Sequence, residues 1–154
     1  LAIPLYEQWD LLKNNHKAVL LGLTAGVVTS LVTVLVLSLL LGLSHEEYVT
    51  MLPKSITTAI GMGVSEELGG YVTITVAVII VTGVLGNMFG ELICKVFKIE
   101  EPISKGLAFG SAAHAIGTAK AMEIGEIEGA MSSLAIAVSG ILTVILSSVF
   151  AHFL

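Results

Sequence analysis

Three stretches of this chain carry no Asp, Glu, Lys or Arg: residues 18–44, 69–90 and 129–154. A helix rises about 1.5 Å per residue, so each stretch can cross a hydrocarbon layer about 30 Å thick. Two shorter uncharged stretches lie between them, residues 55–65 and 106–119, and both are too short to cross alone. The second runs into AHAIGTAKAMEIGE, from Ala113 to Glu126. That segment is too polar for a lipid-facing helix and too apolar for a loop in water.

The two short stretches are related. Setting Thr58-Ala59-Ile60-Gly61 over His114-Ala115-Ile116-Gly117 gives an offset of 56, which also brings Glu67 onto Glu123 and Gly69 onto Gly125. Chance can match small and apolar residues this way. The matching flanks, a span before and a span after each, favour a true repeat. The expected organisation is one domain over 1–154, with repeat units at about 17–70 and 73–126 and a final transmembrane helix at about 129–154.

Parity then sets the topology. If each short stretch dips into the membrane and returns, each unit holds one crossing and successive units point opposite ways. Such inverted repeats are common in secondary transporters. If each stretch crosses fully, the repeat is parallel. Gly106, Gly110, Gly117 and Gly125 supply points where a helix can break or backbones can approach, and Pro53 and Pro102 suit helix starts. Broken backbone at membrane depth is tolerable only where protein or a water-filled cavity surrounds it. The expected fold is therefore all-α: a polytopic helical membrane protein with inverted repeats and broken, re-entrant helical hairpins, transporter-like and truncated at the N-terminus.

Composition agrees with a membrane protein. Hydrophobic residues make up 55% and charged ones 12%, against about 25% charged in soluble domains, and the mean hydropathy is +0.97. Six of the seven lysines (Lys13, Lys17, Lys95, Lys98, Lys105 and Lys120) fall on one side of a three-crossing chain, and only Lys54 lies between the first two spans. The positive-inside rule makes the lysine-rich side cytoplasmic and the C-terminus external. There is no Arg and no dense basic patch, so nucleic-acid binding has no support. The single Cys94 excludes an intrachain disulfide. The chain opens at Leu1 in mid-pattern, as a piece of a longer protein would.

Candidate chemistry concentrates in the two short segments. Lys120 is read either as a cationic contact for an anion or as a surface lysine paired with Glu123 at i,i+3. His114 can hydrogen-bond or carry a proton. Ser111, Thr118, Thr57 and Thr58 offer neutral hydroxyls, and helix starts broken at depth would add partial positive charge. Asn87 and Glu91 share one helix face; Asn87 suits an interhelical bond or the site, and Glu67 shares its repeat position with Glu123. The scattered histidines give no metal spacing, no cofactor is expected, and the GxSxG, P-loop and HExxH motifs of soluble enzymes are absent. Ser111 and His114, three apart, are not singled out as a catalytic pair, and the expectation is that the chain is not an enzyme.

Longer blocks carry a resemblance. PKSITTAIGMGVSEELGG, VTGVLGNMFG and ISKGLAFGSAAHAIGTAKAMEIGEIEGAMSSLA, with the opening LAIPLY, closely resemble the LrgB/CidB family of antiholin-like membrane proteins over essentially the whole chain. The resemblance implies additional N-terminal transmembrane sequence, the bacterial inner (cytoplasmic) membrane, and a smaller holin-like partner of the LrgA/CidA type. It also implies a link to murein hydrolase export and autolysis. A plant relative that exchanges glycolate for glycerate, and bacterial members tied to pyruvate uptake, imply a carrier of small monocarboxylates. Carried over by motif, the site residues are Pro53, Lys54, Ser55, Thr57 and Thr58, then Ser111, His114, Gly117, Thr118, Lys120 and Glu123. Lys54, Asn87, Glu67 and Glu123 are set aside as coupling or structural polar groups. The family motif commonly has Arg where this chain has Lys120, and lysine keeps the charge but loses the planar fork. The alternative is an antiholin-like scaffold with no substrate of its own; a passive channel is a third reading. A homo-oligomer, a dimer, is expected.

Overall fold

The computed structural model describes Tyr6 and residues 8–154, the side chains of residues 9, 11 and 12 aside. Residues 1–5, the start of the LAIPLY match, lie outside the described residues. Every element among the described residues is helical: α1 (Trp9–Leu41), α2 (His45–Met51), α3 (Thr58–Glu67), α4 (Val72–Val96), α5 (Pro102–Ile124), α6 (Glu126–Phe150) and a closing 3-10 turn (Ala151–Phe153). Three segments are long and apolar enough to cross a membrane: Lys13–Leu41, Val72–Val96 and Glu126–Phe153.

Local sequence explains the ends. α1 stops at Gly42, whose left-handed backbone (φ 65) lets the N–H groups of Gly42 and Leu43 return to the carbonyls of Leu39 and Ser38. α2 opens on a capping box, in which Ser44 and Glu47 each satisfy the other's backbone N–H. α5 starts with Pro102 just inside the Glu101 cap, and the Glu101 carboxylate accepts from the backbone N–H and hydroxyl of Ser104.

Both short segments fold back on themselves. In the first, α2 descends from the end of α1, the chain turns at 54–57, and α3 climbs back. A Cβ on Gly61 would lie 3.6 Å from the Pro53 carbonyl oxygen, so the two arms touch. The open end is tied by Thr50, whose hydroxyl accepts from the Tyr71 N–H at 2.7 Å and whose carbonyl accepts from the Thr75 hydroxyl at 3.0 Å. In the second, α5 breaks at His114 (φ 42, ψ −135). We call its halves α5a and α5b. A Cβ on Gly117 would lie 2.7 Å from the Phe109 carbonyl oxygen, eight residues earlier. In a straight helix those residues would be about 12 Å apart. The offset of 56 that aligns the two sequences also relates these contacts, Gly61 with Pro53 and Gly117 with Phe109.

Both turns reach the middle of the long helices. Ser55 in the first stands 3.4 Å from Ser30 of α1. His114 in the second lies against Gly83, near the centre of α4. α1 and α6 run parallel: Leu23 packs with Ala135 at one end, and Leu31 and Val34 with Leu146 and Phe150 at the other. α4 runs the opposite way, from the open end of the first hairpin to the base of the second. The cytoplasm-assigned lysines thus collect where α1 starts, α4 ends and the second hairpin is rooted. Lys54 departs from that arrangement: it sits at the tip of the first hairpin, at membrane depth, not in a loop on the far side.

Missing side chains allow the second hairpin to be buried. On α4, a Cβ at Gly83, Gly86 or Gly90 would run into His114, Ala113 and Phe109 respectively. On α5a, a Cβ at Gly106 or Gly110 would meet the backbone carbonyls of Glu128 and Ser132 on α6. Lipid tails are as apolar as side chains, so close backbone approach does the work of association. Gly110→Ala is expected to destabilise the fold by about 1–3 kcal/mol, by forcing α5a off α6. Gly63→Ala, where nothing lies within 4 Å of the added Cβ, is expected to be neutral or slightly stabilising. Thermal unfolding of both variants in detergent checks the contrast, and equal losses would contradict it.

Candidate functional site

The two hairpin tips face one cavity. It measures about 1140 Å³ and lies between α1, α4 and α5a. It runs from Asn15, Glu101 and Ser104 at the lysine-rich end to Ser30, Lys54, Ser55 and Ser111 near the middle of the long helices. Ser111 reaches α1 beside Gly26, and Ser55 reaches it at Ser30, one helical turn or about 6 Å further along.

Only two lining residues are charged, Glu101 and Lys54. Burial pushes the Glu101 carboxyl up, but the hydrogen bonds from Ser104 and Ile103 outweigh it and hold the group below its ordinary value. It is an anion at neutral pH, committed to capping α5. Lys54 donates to the Ser55 hydroxyl at 2.9 Å. Both ion pairs among the described residues belong to Lys120, so no described carboxylate neutralises Lys54. A cation at membrane depth is costly and calls for a partner.

The lining also carries the repeat. Gly26 and Thr82, Thr29 and Leu85, Ser30 and Gly86, and Ser55 and Ser111 are pairs at the offset of 56, and all eight line this cavity.

Of the residues expected to meet a substrate, the structure brings Ser111, and with it Lys54 and Ser55, to the cavity. It turns the others elsewhere. His114 is buried between α4 and the hairpin, with Nε2 2.9 Å from the Ile79 carbonyl. A carbonyl can only accept, so Nε2 carries the proton. The Thr118 hydroxyl lies 2.9 Å from the His114 carbonyl and 2.7 Å from the Ser132 hydroxyl. These bonds hold a left-handed backbone whose cost for a non-glycine residue is about 1–3 kcal/mol. Gly117 is where the two arms touch. Asn87 donates to the Ile116 carbonyl at 3.0 Å, pinning the tip to α4. Thr57 caps α3 through its carbonyl, which accepts from Gly61, and Thr58 opens the helix beside it; neither lines the cavity.

Lys120 is the clearest correction. It stands outside the cavity, 2.9 Å from Glu91 and 3.2 Å from Glu123. Two carboxylates already satisfy it, so it is not a free cation. Glu67 is exposed at the end of α3. Ser30 was missed because a lone serine in an apolar span carries no local signal; only the fold brings it opposite Ser55.

Known proteins bear on this arrangement. The LrgB-like family matches residues 1–153. Antiholin-like protein LrgB of Bacillus mycoides (strain KBAB4) is 40% identical over 99% of this chain, and its counterpart in Bacillus cereus (strain B4264) is 39% identical over the same share. The chain spans 66% of the length of each. No solved structure matches. With its three apolar crossing helices and a family match along nearly all of its length, this membrane protein belongs to the LrgB-like family.

Proposed function

We propose that the protein is a secondary carrier of small monocarboxylates, of the size of glycolate, glycerate or pyruvate. One observation carries the reading: an ammonium without a carboxylate partner among the described residues, Lys54, at the end of the cavity that reaches the middle of the long helices. The missing partner is an anion. Lys54 provides the charge, and the hydroxyls of Ser30 and Ser55 orient the bound group, while Ser111, which donates to the Leu107 carbonyl at 2.7 Å, shapes the wall.

Alternating access is supported by the repeat. Ser104 and Ala108 form the open wall of the cavity. Their mates at the offset of 56 are Tyr48 and Leu52, both fully buried, and Tyr48 donates to the Phe150 carbonyl at 2.9 Å. One vestibule is open while its counterpart is packed shut. Exchange of these two arrangements would carry a bound anion from one face to the other.

The protein would sit in the bacterial inner membrane with the lysine-rich end in the cytoplasm, as a homodimer. The name of its relatives favours a second reading, an antiholin-like regulator of a holin-like LrgA/CidA-type partner and of autolysis. That role needs no substrate, and flux separates the two.

In proteoliposomes, labelled monocarboxylate counterflow is expected to saturate. Lys54→Ala is expected to weaken apparent affinity about 10- to 100-fold, the loss of one charge-assisted contact. Lys120→Ala should stay within about threefold, since its partners lie outside the cavity. Unchanged uptake by folded K54A would refute the seat; no flux of any monocarboxylate by the folded parent would favour the regulator.

Access can be read separately. With Cys94 replaced by Ala, Ser111→Cys should react with an impermeant thiol reagent from the lysine-rich side and be protected by substrate. Leu52→Cys should react from the other side only during exchange. Reaction of Leu52→Cys at full rate without substrate would remove the closed vestibule from the scheme.

A further inference from the structure

The lysine-rich end holds a second cleft, of about 190 Å³, between the end of α4, the turn after it and the base of the second hairpin. Its floor is apolar, made by Ile99, Phe109 and Ile124, and its wall carries Lys95, Lys98 and Lys105. None of the three ammoniums lies within ion-pairing distance of a carboxylate among the described residues, where both ion pairs belong to Lys120. Two carboxylates share the lining. Glu91 shares Lys120 with Glu123 and also feels Lys95 and Lys105, so Glu91 and the exposed Glu100 are the two carboxylates that face the three cations of the wall. The turn is built rather than loose: the Ile99 N–H donates to the Cys94 carbonyl at 2.8 Å, and Lys98 takes a left-handed backbone (φ 55) uncommon outside glycine. Met88 and Leu92 stand seven and three residues before Lys95, on the same face of α4, and are 65% and 58% exposed. The cleft therefore joins a cationic wall to an exposed apolar strip near the end of a helix long and apolar enough to cross a membrane.

We propose that this cleft seats the phosphate of an anionic phospholipid headgroup, with an acyl chain lying along Leu92 and Met88. Three lysines line one cleft, whose volume suits a headgroup and is too small for a chain. Phosphate oxygens accept charge-assisted hydrogen bonds, and each lysine at an anionic membrane surface adds attraction. The apolar strip distinguishes a lipid from a soluble anion, which has no use for it. The cleft shares no lining residue with the carrier cavity, the strip meets that cavity at Leu92, and the test does not depend on transport.

The purified intact protein would be titrated with dioleoyl phosphatidylglycerol, dioleoyl phosphatidylcholine or inorganic phosphate, following bound lipid by native mass spectrometry and Tm by thermal unfolding. Phosphatidylglycerol is expected to stay bound and raise Tm; phosphatidylcholine is not. The triple variant K95Q/K98Q/K105Q should lose at least about tenfold in apparent affinity, and the matching arginine variant should keep it. These side chains reach outward, so the parent fold is expected to survive the exchange; unfolding of each variant without lipid verifies that. Equal retention of phosphatidylglycerol by the glutamine variant, or equal stabilisation by phosphatidylcholine, would overturn the site. Equal protection by inorganic phosphate alone would overturn the lipid and leave a soluble anion.

Discussion

In hydrocarbon, a backbone N–H or C=O without a partner costs several kcal/mol, so no chain can turn at mid-membrane unless protein encloses the turn. The rest of this structure depends on that constraint. Both hairpins reverse near the centre of the long helices, and the second is enclosed by glycine. Gly83, Gly86 and Gly90 bring α4 against its tip and first arm, while Gly106 and Gly110 bring that arm against the backbone of α6. Ile79 joins the two halves of the molecule: its side chain lies against Gly61 of the first hairpin, and its carbonyl faces His114 of the second.

The polar residues of the second hairpin are used in closing it. His114, Thr118 and Ser132 form a chain of bonds that holds one strained residue, and with the separate bond from Asn87 to the Ile116 carbonyl it ties the tip to both neighbouring helices. Such groups look like a binding site in a sequence because the same hydrogen-bonding chemistry serves either purpose. What separates them is direction. Side chains aimed between packed helices stabilise the break, and those aimed into open volume remain for a ligand. By that criterion the free chemistry lies with Lys54 and its neighbouring hydroxyls, while Lys120 is neutralised by Glu91 and Glu123. The function we propose follows from this division.

The sequence by itself determined the three crossing helices, because uncharged runs of that length have no other stable state in a bilayer. It required stretches too short to cross to return, but did not set where: the first hairpin turns at 54–57, at the edge of the uncharged stretch and not within it, and the second breaks at His114, not at one of the glycines. The alignment of TAIG on HAIG is matched in the fold by the touching arms at Gly61 and Gly117. Membership of the LrgB-like family was likewise legible, since it rests on long blocks rather than on any contact.

Only the tertiary structure decided which polar residues share a space. Lys54 and Lys120 are both lone lysines in mixed segments, and locally only Glu123, three residues after Lys120, distinguishes them. Distant partners complete the difference. α4 brings Glu91 to Lys120, whereas α1 brings the uncharged Ser30 to the tip beside Lys54. Helix periodicity tells which residues of one helix share a face, but not which face meets the cavity. That depends on how α1, α4 and α5a rotate about their axes as they pack, and packing is a property of the whole bundle.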